Sequence, residues 1–216
     1  MAQGDLIVGR GVRVEVSKTE GAPKTVSAVT QDDPGVATST AHTLLAKSVA
    51  FFRAVTGMVQ LEGQAVRFGA VDTNTLTLTD INTEGFPAFT GGQVVPITAW
   101  STLAKATGWT EGGGDAEKLN ATTMLDVIRQ EVNGLLAAQT VSIPLLAESL
   151  SSEAMAIVKN AARTQGYLVF RCTWSNGDVV LFRGEPSLPG RDVQQGQLGT
   201  STISVTVKGF VIEGAA

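Results

Sequence analysis

Few side chains in this sequence are of the kind that do chemistry, and their spacing suits it poorly. His42 is the one histidine and Cys172 the one cysteine. An imidazole works as a base or a zinc ligand when a nucleophile, a thiolate or clustered acids stand near it, and no such residues surround His42 in the sequence. It reads as a turn or packing residue. Cys172 falls in an alternating apolar strand, so it reads as a small core residue rather than a nucleophile, and one cysteine makes no internal disulfide. Asp32 and Asp33 precede Pro34 and read as a turn; Asp115 and Glu117 read as solvated. The run Gly112-Gly113-Gly114 would cradle a phosphate if a Lys-Ser/Thr pair opening a helix followed it. None does, and the run reads as a mobile loop. The expectation is therefore no enzyme: no catalytic residue, no cofactor or cofactor-binding residue, and no metal ligand.

The elements that hold these residues are more informative. Tyr167 to Gly184, YLVFRCTWSNGDVVLFRG, places Asn176-Gly177 between two β-rich runs and predicts a hairpin with a two-residue type I′ turn. That register sets Cys172 against Leu181 and Phe170 against Arg183, with Phe170, Cys172, Trp174, Val179 and Leu181 on one face. The other face, with Val169, Arg171, Thr173, Val180 and Phe182, is too apolar to meet water alone. Both faces need covers: the chain's own core on one, and a helix of the chain or a neighbouring subunit on the other.

Composition supports a folded chain. Of 216 residues 17% are charged and 43% hydrophobic, enough for one good core or one domain with a small insertion. A net charge of −4 with no Lys/Arg cluster argues against a nucleic-acid-wrapping surface. No basic leader with an apolar run opens the sequence and no apolar run is of membrane-spanning length, so the expectation is a soluble protein without a signal peptide and without a membrane partner. Leu6 to Val16 reads as a first strand near an edge and Lys18 to Lys24 as a turn. From Ser27 to about Ile97 the chain turns Thr-, Val- and Gly-rich, with short alternating runs at Gln64 to Val71 and Thr75 to Thr79, which reads as a small all-β insert. Thr122 to Leu136 fits an extended arm about as well as a helix, and periodicity does not settle it. Val141, Ile143 and Leu145 alternate in a strand whose Pro144 favours an edge. A helix follows, capped by Ser151 or Ser152, with Ala154, Ile157, Val158, Ala161 and Ala162 as its stripe and Gly166 at its end. Ser201 to Val211 alternates as a closing strand.

Two stretches carry resemblances. Thr40 to Leu44 (TAHTL), Thr56 to Gly63 (TGMVQLEG) and Phe86 to Gly92 (FPAFTGG) resemble a short β module that recurs in phage tail proteins. The order from Gln139 to Val211, with Asn176-Gly177, Val180, Phe182-Arg183-Gly184 and Ser201 to Lys208, resembles the major tail tube protein of long, non-contractile-tailed phages of the lambda type; Trp100 to Lys105 is similar to a stretch on that family's N-terminal side. The resemblance implies a mainly β, two-sheet antiparallel β-sandwich with one flanking α-helix, closing into a barrel on oligomerisation. It implies a core of residues 1–26 and 98–216, with residues 27–97 as a small inserted β module; that insertion, and the expected lack of the C-terminal immunoglobulin-like domain some relatives carry, are departures from the family. By function it implies a structural virion protein, made in the host cytoplasm, that stacks as hexameric rings into the tube through which DNA passes. Its partners would be other copies of itself, the tape measure, terminator and distal tail proteins, and DNA only transiently in the lumen. The family's inter-ring arm would fall at Thr122 to Leu136. Other readings stay open: a tail terminator or connector ring protein, or a host-surface-binding decoration module for which Phe86 and Phe89 would be exposed candidates.

Overall fold

The computed structural model describes residues 11–147 and 152–214. The first strands are β1 (Arg13–Glu20), β2 (Lys24–Val26), β3 (Ala28–Val29), β4 (Val36–Thr38), β5 (Val49–Thr56), β6 (Ala65–Val71), β7 (Thr75–Thr79) and β8 (Gly91–Thr102). Next come β9 (Thr110–Gly112), β10 (Ala116–Asn120), β11 (Glu131–Leu136), β12 (Thr140–Leu146) and the helix α1 (Glu153–Thr164). The chain finishes with β13 (Leu168–Thr173), β14 (Val179–Pro186), β15 (Arg191–Asp192) and β16 (Thr200–Gly214). Fourteen strands make one antiparallel sheet, and β10 with β11 makes a separate pair. The mainly β class with one helix agrees with the patterning among the described residues.

Alternation decides where strands form. In β16, Ile203, Val205 and Val207 are buried while Thr202, Ser204 and Thr206 face out, and the strand pairs with β12 over seven residues from Thr140↔Thr206 to Leu146↔Thr200. Pro144 sits where β9, which pairs only with residues 140–142, has already ended, so its missing N–H interrupts no ladder there. The paired strands expected at residues 64–71 and 75–79 are β6 and β7, joined by the short turn at Asp72.

The hairpin of β13 and β14 is present with a different register. Thr173 pairs with Val179, Cys172 with Val180 and Phe170 with Phe182, one residue off the two-residue-turn reading. Trp174 N–H donates to the Asp178 carbonyl and Gly177 N–H to the Trp174 carbonyl, which makes a three-residue loop, and Gly177 takes φ 95. The Asn176 carboxamide oxygen accepts from Asp178 N–H at 3.1 Å, a local bond that favours the wider loop. The one-residue shift swaps the partners: Phe170, Cys172, Val180 and Phe182 now share a face, and Val169 and Leu181 lie on the other.

Both faces of this hairpin are covered from within the chain. On one side Phe170 stacks on Phe182 at 5.3 Å, and Trp109 meets Phe182 edge-on at 5.6 Å. Val14, Val16, Ile143, Val205 and the helix residues Met155 and Val158 complete that core. On the other side Val169 and Leu181 pack against Val49, Phe51, Ala65, Val95 and Ile97. A neighbouring subunit is thus not what covers the second apolar face. A further core, with Phe52, Met58, Phe68, Leu76 and Leu78, is built mostly from the 27–97 stretch and is joined by Val26 and Ile212 from outside it. β8 joins these regions without a break, pairing with β2 and β5 in its first half and with β1 in its second. A second tie is made by Gln64, 2% exposed, whose carboxamide accepts from Phe210 N–H at 2.8 Å and donates to the Phe210 carbonyl at 3.0 Å.

Three further expectations change. The first strand is central, between β8 and β13, rather than at an edge; its residues 6–10 lie outside the described ones. It tolerates that place because its buried polar side chains are bonded: Glu15 to two arginines, and Ser17 Oγ accepting from Val169 N–H at 3.0 Å. Lys18 to Glu20 continue this strand instead of turning. At the helix, Ser152 is the N-cap but makes no side-chain capping bond, Ser151 lies outside the described residues, and Met155 joins the buried stripe. Lys18 and Ser101 hold the first-turn Glu153 instead, at 2.7 and 3.3 Å. At the other end the left-handed residue is Gln165, with Gly166 N–H closing onto the Ala161 carbonyl.

Candidate assembly interface

The chemically versatile side chains are spent on structure. His42 is buried, its Nδ1 accepting from Leu44 N–H at 2.9 Å and its Nε2 donating to the Asp72 carbonyl at 2.7 Å, so both ring nitrogens serve a turn. Cys172 is buried and desolvation, aided by the nearby Glu111 charge, pushes its thiol up to about 12, far from a reactive thiolate. Thr83 N–H and Oγ1 both donate to the Asp32 carbonyl, and Asn82 Nδ2 donates to Asp33, so that acidic pair belongs to a turn. Asp115 and Glu117 are exposed. Among the described residues no group of three or more His, Cys, Asp and Glu is placed to hold a metal ion.

What stands out is the arm. β10 and β11 pair only with each other, with Leu119 opposite Val132 and Asn120 opposite Glu131. Residues 122–136 are thus the tip and second strand of an extended hairpin that starts at Ala116, not a helix. The tip between the strands is locked by its own polar groups. Thr122 Oγ1 accepts from Gln130 N–H at 2.9 Å, and Asp126 Oδ2 accepts from Thr123 N–H and Oγ1–H at 2.7 and 2.8 Å. Those bonds, the backbone one first, hold the Asp126 carboxyl below its ordinary value of 3.8. The apolar side chains are left outside: Met124, Leu125, Val127 and Ile128 are 74–105% exposed, and Val132, Leu135 and Leu136 are exposed behind them. Ion pairing is local, with Arg129 Nε 3.0 Å from Glu131.

The root of the arm explains the glycine run. Gly112 belongs to β9, and Gly113 and Gly114 take φ 79 and 81 where the chain leaves the sheet. A side chain on Gly113 would collide with the Ala138 carbonyl of the returning strand. The run is a tight crossing rather than a slack loop. The two arginines of the β13–β14 hairpin find their partners within the chain. Arg171 Nε and Nη2 lie 3.0 and 2.5 Å from Glu15 Oε2 and its guanidinium lies 4.3 Å from the Trp100 ring; Arg183 lies over Phe51 and Tyr167 at 4.3 and 4.8 Å.

A curled antiparallel β-sheet with one helix and a separate two-stranded apolar hairpin defines a mainly β protein whose largest run of exposed hydrophobic side chains among the described residues is that hairpin. Residues 56–212 match the family model described as phage tail tube protein, TTP, and the chain belongs to that family. No curated protein matches the chain. The family match begins within the 27–97 stretch and so reaches further toward the N-terminus than the resemblance over Gln139 to Val211. The family makes the role structural, in the virion, among other tail components. Sequence periodicity left the arm undecided; its signal was an apolar segment between the Gly run and the strand β12, which β9 covers over residues 140–142 and leaves open at Pro144.

Proposed function

We infer that this chain polymerises as rings of six that stack into the tail tube of a long, non-contractile, lambda-type phage tail, with DNA passing down the lumen into the host. The observation that carries this reading is the arm: an apolar ribbon, covered by none of the described residues of its own chain, on a member of the phage tail tube protein family. Closing the ring joins the two halves of each curled sheet to those of its neighbours, as a two-sheet sandwich that becomes a barrel on oligomerisation. Residues 27–97 form a small β module on a core of residues 1–26 and 98–216. The arm bridges successive rings. A net charge of −4 suits a conduit along which DNA slides without sticking. The chain is made in the host cytoplasm, and the tape measure, terminator and distal tail proteins are its other partners.

Negative-stain microscopy of the concentrated full-length chain tests this. Annular particles and open-ended tubes are expected. Replacing Met124, Leu125, Val127 and Ile128 by Ser should leave monomer stability within about 0.5 kcal/mol, since the residues are exposed, while abolishing tubes. A wild-type chain that stays monomeric at every concentration would overturn the reading.

A further inference from the structure

We propose that the loop of residues 187–199, between β14 and β16, is the seat for the arm tip of a second copy of this chain, in a head-to-tail contact; this rests on the arm reading above. Its basis is where the fold puts the two surfaces. At one end of β12, Thr140 pairs with Gly112 and the arm leaves the sheet. At the other end Leu146 pairs with Thr200, Ala147 N–H donates to the Gly199 carbonyl, and β15 pairs with residues 200–201. The arm root and the loop therefore occupy opposite ends of one strand, about 20 Å apart at the usual strand rise.

The chemistry matches. Leu188, Val193 and Leu198 are 60–76% exposed, and outside the arm they are three of the seven large hydrophobics exposed among the described residues. The loop is preformed at its ends: Ser187 N–H donates to the Ser204 carbonyl and Ser201 Oγ to the Gly190 carbonyl, both at 2.7 Å. Its only ionic side chains, Arg191 and Asp192, are adjacent and opposite in sign. The tip's one carboxylate, Asp126, is turned onto Thr123. Laying tip on loop buries aliphatic side chains of Met124, Leu125, Val127 and Ile128 against those of Leu188, Val193 and Leu198. Because the two patches differ in sequence and the arm leaves from the end of β12 opposite the loop, the contact is heterologous and leaves a free arm and a free loop at the ends of any stack, as an open polymer requires.

Two measurements on the full-length chain test the assignment. Replacing Leu188, Val193 and Leu198 by Ser should raise the concentration needed for tubes by about tenfold or more, with the thermal unfolding midpoint of the monomer unchanged. Separately, a chain carrying Ile128→Cys is mixed with a chain carrying Leu198→Cys, assembled and oxidised. A disulfide-linked dimer containing one of each is expected, with neither chain cross-linking alone. If the arm-tip variant blocks tubes while the loop variant does not and no mixed dimer forms, the arm reading stands and the seat proposed here is wrong. If the arm-tip variant still makes tubes, the arm reading fails first and the seat with it. Should the loop variant misfold, the mixed cross-link alone decides.

Discussion

Arg171 lies over Trp100 with its guanidinium on Glu15, a carboxylate 2% exposed that is also met by Arg13 at 2.7 Å. Removing Arg171 leaves a buried charge served only by the largely exposed Arg13. Arg171→Ala should therefore cost about 3 kcal/mol, at the low end for a broken buried pair, read from the urea midpoint. The sequence announced Arg171 only as a polar residue on an apolar strand; its partner lies 156 residues away, and no spacing rule connects them. Asp126 behaves differently. Its carboxyl sits below the ordinary 3.8, so the turn it holds has its full support above that value and loses it as pH falls through the lowered folded value. The Thr123 amide resonance should shift with an acid inflection below 3.8, and Asp126→Asn should remove the inflection. His42 and Cys172 were readable as structural residues from the company they lacked, and the hydrogen bonds and burial agree.

Elements whose faces alternate strictly were the legible ones: β6, β7, β12 and β16 lie where their periodicity put them. The β13–β14 hairpin was legible as an element but not in register, because Asn176 caps Asp178 N–H and enlarges the loop by one residue, a choice that side-chain bonding makes and a dipeptide rule does not. The first strand reads as an edge strand because Val12, Val14 and Val16 alternate with Arg13 and Glu15; the bond of Glu15 to Arg171, and that of Ser17 to Val169, take its polar face inside. The arm defeated periodicity because neither of its faces is buried in the monomer, so no packing constraint wrote a pattern into it. Gln64 is a tie that no pattern reveals. Gln64→Ala leaves both main-chain groups of Phe210 without their partner and should cost about 2 kcal/mol, with faster amide exchange localised at Phe210. Gln64→Glu, which keeps only the accepting half, should fall between that variant and the parent.

At the scale of the molecule, the 27–97 stretch and the rest share a core as well as a chain. Val169 and Leu181 on one side, and Phe51, Val95 and Ile97 on the other, bury one another. Thermal unfolding should therefore show one calorimetric transition with matching calorimetric and van't Hoff enthalpies; two resolved transitions would mean that the shared cluster adds little. The 27–97 stretch differs from the rest of the sequence in texture, but its packing against the second hairpin face left no trace there, since contacts between residues so far apart in sequence have no local signal.

The unbroken run of β8 has a mechanical consequence. Its twelve residues cross from one region to the other with no linker between them, so the protomer has no joint there at which to flex. If protomers stack as proposed, bending strain on the filament would pass through each one as through a stiff brick and be taken up in the mortar between bricks, where that proposal sets the slender ribbons with their glycine roots.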